Sequence, residues 1–277
     1  MEMSEEFVVL ISKHKYLDIV LLPCIVGRHI EKEYLTVVEI VRPQSSVYKN
    51  SMLTDAQKQI VDFASHYEDK RLVETYSKKN LGVKEFFETM DKEIFSSRIK
   101  TFVESMNLRI INLVTEHSIS LYVRNENANI YPEDKVDISP NEQEILFSFE
   151  RNNEGLTYQQ SLSIDGKTLV LTGRPYHVLS NKPAFIVVSK TLFSIGGIES
   201  KKLVPFFTKK YIQVPKRMEK EYFETFVLNA VTHHRVEARG FVVEEVTQKP
   251  SVILKMERDL MNFCCFIVEF SYQGKKI

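Results

Sequence analysis

Three stretches carry residue types that could do chemistry. Gly166-Lys167-Thr168 has the form of the tail of a phosphate-binding loop, in which backbone N–H groups wrap a phosphate and a lysine neutralises it. That loop needs a glycine where Ser161 stands, and a helix where an apolar, strand-like run follows. Asp165-Gly166 lies between two alternating runs and signals a tight hairpin instead, because a type I′ turn requires positive φ at both central residues. His233-His234 could ligate a metal or serve as a base, but no carboxylate or cysteine stands at ligand spacing. A cation beside the last carbonyls of a helix is the simpler role. The third stretch is basic. Lys201, Lys202, Lys209, Lys210, Lys216, Arg217 and Lys220 are interleaved with Phe206, Phe207 and Tyr211. Cations beside exposed aromatics bind nucleic acid through phosphate contacts and base stacking. The competing reading makes Phe206 and Phe207 core anchors beside Leu203 and Val204, with lysines solvating the outer face. Glu219 to Glu224 reads as a solvated helix face, and neither GxSxG nor HExxH occurs.

Positioning falls to the run from about Gln143 to Gly197. It holds Ile145 to Phe149, Leu156 to Ile164, Lys167 to Leu171 and Ala184 to Ile195, which read as strands of one meander with a buried face. In the second, only Gln160 interrupts the row Leu156, Tyr158, Leu162, Ile164. Upstream, Phe7 to Ile11, Tyr16 to Val26 and Tyr34 to Val41 read as strands. Thr54-Asp55-Ala56-Gln57 is a capping box opening a helix toward Tyr76, and Val83 to Met90 is a short helix. Asp91 begins the clearest helix, with Phe95, Ile99, Phe102, Met106, Ile110 and Leu113 on one stripe. Ile119 to Val123 is a short strand, and Asn125 to Pro140 is a loop-rich boundary. Past the meander, Lys201 to Lys210 is a helix broken at Pro205, and Pro215 opens another striped by Tyr222, Phe226 and Ala230. Val236 to Val246, Val252 to Met256 and Phe263 to Tyr272 read as closing strands.

The 277 residues carry 37 basic and 37 acidic side chains, so no global charge argues for nucleic acid and a local patch must. Cys24, Cys264 and Cys265 have no zinc spacing and fit a reducing, cytoplasmic setting. The acidic start, Glu2 to Glu6, is unlike a secretory signal. Ile19 to Val26, broken by Pro23, is too short to span a bilayer, so no membrane association is expected.

The order of signals after Ile119 adds a resemblance. Ile119-Ser120-Leu121-Tyr122 leads to Phe147-Ser148-Phe149, Gly155-Leu156 with Tyr158, and Val178 through Pro183-Ala184-Phe185. Lys202-Leu203-Val204-Pro205-Phe206, Ile212-Gln213-Val214-Pro215-Lys216, Tyr222-Phe223 with Phe226, and Gly240-Phe241 follow. Val252 with Leu254 and Phe270 with Tyr272 close the series. This resembles the accessory region that precedes the ATPase lobes in bacterial SWI/SNF-related helicases of the Bacteroides type, over about the last 160 residues. The resemblance implies a non-enzymatic fragment of an ATP-dependent translocase, with no cofactor. Its partners would be the helicase lobes in cis and, beyond them, DNA.

The expectation is therefore an α+β fold of mostly antiparallel sheet with packed helices, in two lobes, residues 1–130 and 140–277. An accessory DNA-contacting region should show a basic stripe. A protein-interaction module unrelated to DNA should show an exposed apolar patch. A hydrolase should show a deep pocket with convergent His, Asp or Glu.

Overall fold

Phe7-Val8-Val9-Leu10-Ile11 is too apolar to leave either face in water, and strand β1 (Ser4–His14) is accordingly covered on both. β1 pairs antiparallel with β2 (Asp18–Arg28), and β2 with β3 (Leu35–Ile40). The computed structural model describes residues 4–28, 33–50, 52–124, 129–241, 251–258, 264–272 and 275–276. The chain divides by contacts into Met1–Glu237 and Ala238–Ile277.

In the first unit a helical segment follows β3: α1 (Ser46–Lys49), α2 (Asp55–Ser65), α3 (Asp69–Tyr76), α4 (Val83–Thr89), α5 (Lys92–Ile94) and α6 (Thr101–Glu116). The capping box at α2 is complete: Thr54 Oγ1 accepts from Gln57 N and Gln57 Oε1 accepts from Thr54 N. The helix expected to reach Tyr76 stops at Ser65. There Ser65 Oγ donates to the Asp62 carbonyl, and buried Tyr67 leaves the helix to donate its hydroxyl to the Leu21 carbonyl of β2. Asp91 caps the next helix through Oδ1, which accepts from the N–H groups of Glu93 and Ile94. A π-helical segment, Phe95–Lys100, joins α5 to α6 without a break.

β4 (Ser120–Val123) then lies parallel to β1, and β5 (Asn129–Ile130) pairs with β3, giving the order β4-β1-β2-β3-β5. Period two along β1 sets the two cores. Phe7, Val9 and Ile11 join Ile60, Ile99 and Ile110 of the helical layer, while Val8 and Leu10 join Cys24, Val26, Tyr122 and Ile130.

Next come β6 (Asp137–Ile138), β7 (Glu144–Asn152), β8 (Gly155–Ile164), β9 (Lys167–Val170), β10 (Tyr176–Ser180), β11 (Ala184–Val188) and β12 (Thr191–Ile195). The expected single meander is two sheets. β7, β8 and β9 form one, and β10-β11-β12-β6 the other. The run Ala184 to Ile195 is a hairpin, because Ser189 turns with φ 58° and its N–H donates to the Pro175 carbonyl. Leu179, Val187 and Leu192 enter the same core as Val9 and Ile110, so that core is continuous across residues 130–140. β13 (Ile212–Val214) adds to β8, and β14 (Arg235–Arg239) to β7. Between them lies one helical run, Lys216–Met218, α8 (Glu219–Tyr222), π-helical Phe223–Val227 and α9 (Leu228–His233). α7 (Ser200–Leu203) and a 3-10 turn, Val204–Phe207, precede β13.

In the second unit β15 (Ser251–Arg258) pairs with β16 (Cys264–Tyr272), and β16 with β17 (Lys275–Lys276), all antiparallel. The chain thus adopts the α+β architecture expected of it, with mostly antiparallel sheets. β1/β4 and β12/β6 pair parallel. Residues 242–246 of the strand expected from Val236 to Val246 lie outside the described residues. Among the described residues no helix is long and apolar enough to cross a membrane.

Candidate nucleic-acid interface

The basic stretch begins on α7, which is tied to the end of β10. Ser200 Oγ donates to the Ser180 carbonyl at 2.7 Å, and Lys201 N donates to Asn181 Oδ1 at 3.0 Å. Pro205 sits in the first turn of the 3-10 segment, where its missing N–H costs nothing. Phe206 and Phe207 are buried; Phe206 meets Tyr158 edge-on at 5.5 Å and Phe207 stacks on Tyr176 at 4.0 Å. They are core anchors. Of the interleaved aromatics, Tyr211 alone is exposed.

All seven cations, Lys201, Lys202, Lys209, Lys210, Lys216, Arg217 and Lys220, are exposed. Lys201 Nζ pairs with Glu199 at 2.7 Å, and Lys220 lies 3.9 Å from Glu224. Lys202, Lys209, Lys210, Lys216 and Arg217 make no ion pair among the described residues. Lys209 and Lys210 stand before β13, and Lys216 and Arg217 after it. β13 is the outer strand of its sheet, with Ile212 opposite Tyr158 of β8. From Lys210 to Lys216 an extended chain spans about 20 Å, the rise of roughly six nucleotides along one strand of a duplex.

The glutamates nearby are not all a solvated face. Glu219 is buried, and its Oε2 accepts from Arg151 Nη2 at 3.1 Å. The helical stripe predicts only which side Glu219 lies on. Its partner is on β7, and the close approach of Gly155 closes the space over it. Glu221 and Glu224 are exposed as expected.

The other two stretches have local roles. Asp165 (φ 47°) and Gly166 (φ 77°) form the positive-φ turn between Ile164 and Lys167, so Gly166-Lys167-Thr168 runs from turn into strand. His233 ends α9 with Nδ1 3.0 Å from the Asn229 carbonyl. His234 packs its ring 5.0 Å from Phe147 and over Gly197, and burial, then His233 and Lys202, lower its pKa. Among the described residues no three His, Cys, Asp or Glu side chains converge as metal ligands do.

No protein-family model matches the chain, and no curated protein or solved structure matches it either.

Proposed function

We propose that the chain is a non-catalytic module that holds the phosphate backbone of nucleic acid along the β13 edge, the setting implied by its resemblance to the accessory region of SWI/SNF-related translocases. The observation that supports this is the set of four exposed cations, Lys209, Lys210, Lys216 and Arg217, without carboxylate partners among the described residues at the two ends of an edge strand, with Lys202 on α7 as a fifth. Phosphate contacts carry no sequence information, so binding would be general and salt-dependent. Four such contacts give a log–log salt slope of about −3 to −4, or roughly a hundredfold loss of affinity between 50 and 200 mM salt. The test is fluorescence anisotropy of a labelled duplex with native protein and a Lys202→Glu/Lys209→Glu/Lys210→Glu/Lys216→Glu variant. The native chain is expected to bind at low salt with that slope and the variant to lose it. Equal binding by both, or none by the native chain at low salt, refutes the reading.

A protein-binding reading has one observation of its own. In the β15–β16 hairpin, Leu254 is opposite Val268 and Met256 opposite Phe266, and these four with Val252 are exposed on one face. Two-residue β17 is the sheet's third strand, and so small a sheet is marginally stable in water without cover. Retained partner binding in the lysine variant, lost on Leu254→Ser/Phe266→Ser, would favour this reading over phosphate contact.

A further inference from the structure

Tyr211 is 54% exposed, and its ring makes no aromatic contact or hydrogen bond among the described residues. It immediately precedes β13, and the register that sets Ile212 opposite Tyr158 and Gln213 opposite Thr157 carries it toward Gln159. Opposed residues share a face and successive ones alternate. Tyr211, Gln213, Thr157 and Gln159 therefore lie on one face, away from the core in which Tyr158 meets Phe149, Phe206 and Phe226. Val170 of β9 is 41% exposed and opposite Ser161, on that same face. It stands two residues along β8 from Gln159, or about 7 Å. The Gln159 side chain makes no hydrogen bond among the described residues. An exposed ring, an exposed valine and an uncommitted amide thus share one platform on the side of β8 where β9 and β13 pair with it.

The turn after β9 brings a further cation to this platform. Gly173 N donates to the Phe207 carbonyl at 2.9 Å, and Thr172 Oγ1 to the Phe206 carbonyl at 3.1 Å. These bonds tie the turn to the residues just before Lys209. Arg174 is exposed, and its Nε donates to the Val170 carbonyl at 2.7 Å. Both Nη amino groups are left as an anchored fork, the shape that matches two phosphate oxygens. Arg174, like Lys209 and Lys210, makes no ion pair among the described residues. Glu144 and Glu150 share this face but stand on β7, across β8 from Tyr211. Positive charge lines the outer margin, and the stacking surface lies beside it.

We infer that the nucleic acid held at the β13 margin is single-stranded, with its backbone over Arg174, Lys209 and Lys210 and a base stacked on Tyr211. The inference rests on the phosphate-backbone reading above and adds the class of substrate. A duplex buries the faces of its bases in its own stack except at the ends, so Tyr211 meets a base face on an unpaired strand. Cations alone favour the duplex, whose charge per unit length is higher. A preference for the single strand must therefore come from the ring. DNA and RNA strands offer the same base faces.

Fluorescence anisotropy of the native full chain tests this with four labelled probes of about twelve nucleotides or base pairs: oligothymidylate, oligouridylate, an abasic strand and a duplex. At about 150 mM salt the tighter of the two pyrimidine strands is expected to bind at least about fivefold more strongly than the duplex, and it names the sugar. The abasic strand, which keeps every phosphate, is expected to bind no tighter than the duplex. Tyr211→Ala, at an exposed position, is expected to weaken the favoured strand by about 5- to 100-fold and the duplex and abasic strand by less than about twofold, while Tyr211→Phe retains native binding. Arg174→Ala is expected to lower the log–log salt slope for the strand by about 0.7. Equal binding of strand and duplex, or native strand binding by Tyr211→Ala, overturns the inference and leaves the phosphate reading to stand on its duplex salt slope. No binding of any probe at low salt overturns both.

Discussion

Gly155→Ala tests how the β7–β8 hairpin and the helical run are held together. Gly155 has φ 132°, a region nearly closed to residues with a side chain. An added Cβ would sit 3.0 Å from Glu219 Oε1 and 3.4 Å from the Val214 carbonyl. The carbonyl belongs to β13 and is fixed by pairing with β8, so the Glu219 carboxylate must move. Movement breaks its 3.1 Å contact with Arg151 and leaves a buried charge short of its partner. Backbone strain costs about 1–3 kcal/mol, and the disturbed pair brings the total to roughly 2–4 kcal/mol. At about 2–4 °C per kcal/mol, Tm should fall by about 5–10 °C in thermal denaturation followed by circular dichroism. Glu219→Ala clears the crowding, so the double variant should be less destabilised than the two single changes added together. A Tm within about 1 °C of the native value for Gly155→Ala would refute the reasoning, and strict additivity would remove Glu219 from it.

Gly166→Val puts a β-branched residue at φ 77° where no neighbour crowds, so it isolates backbone strain and should cost about 1–3 kcal/mol in denaturant titration. Burial raises the Glu104 pKa above its usual 4.5, so the folded chain holds that proton more tightly and stability falls as pH rises through the window above 4.5. Glu104→Gln should therefore melt higher than the native chain at pH 7, with the advantage gone at pH 4. Burial, then Lys13, lowers His177 below 6.5, so the unfolded chain takes up its proton first. Stability should drop as pH falls below 6.5, and less steeply in His177→Gln. Burial pushes the Cys24 thiol up to about 12, so peptide mapping should find it unalkylated at pH 8 until denaturant unfolds the chain.

Features set by a few adjacent residues were legible in the sequence. The Thr54–Gln57 capping box, the Asp91 cap and the Asp165-Gly166 turn each depend on chemistry within four residues, and each is present. The turn at Ser189-Lys190 was not legible, because neither residue type demands positive φ. Its φ is held from outside by the Pro175 carbonyl and by the Lys190 carbonyl accepting from Asp137 N. The same distance effect hides the polar sites. Asn107 reads as one polar residue on an apolar helix until carbonyls 88 and 72 residues away come to it. Glu219 reads as surface until Arg151, 68 residues earlier, reaches it. In the basic stretch the pattern located the cations, while exposure and missing partners required the fold.

The outer strands β4 and β5 have a further consequence for how the chain is made. β1, β2 and β3 are complete at Ile40, yet the strands that close their two sides are Ser120–Val123 and Asn129–Ile130. A ribosome adding about 5–20 residues per second needs roughly 5–20 s to cover that interval. Throughout it the nascent three-stranded ribbon presents unpaired N–H and C=O groups on both margins, beside Val8 and Leu10 of β1 and Leu35 of β3. The interval is long enough for neighbouring nascent chains to add strands to one another on a polysome. Yield on overexpression should therefore depend on translation speed between Ile40 and Ile130 and on holdase supply, more than on the stability of the finished fold.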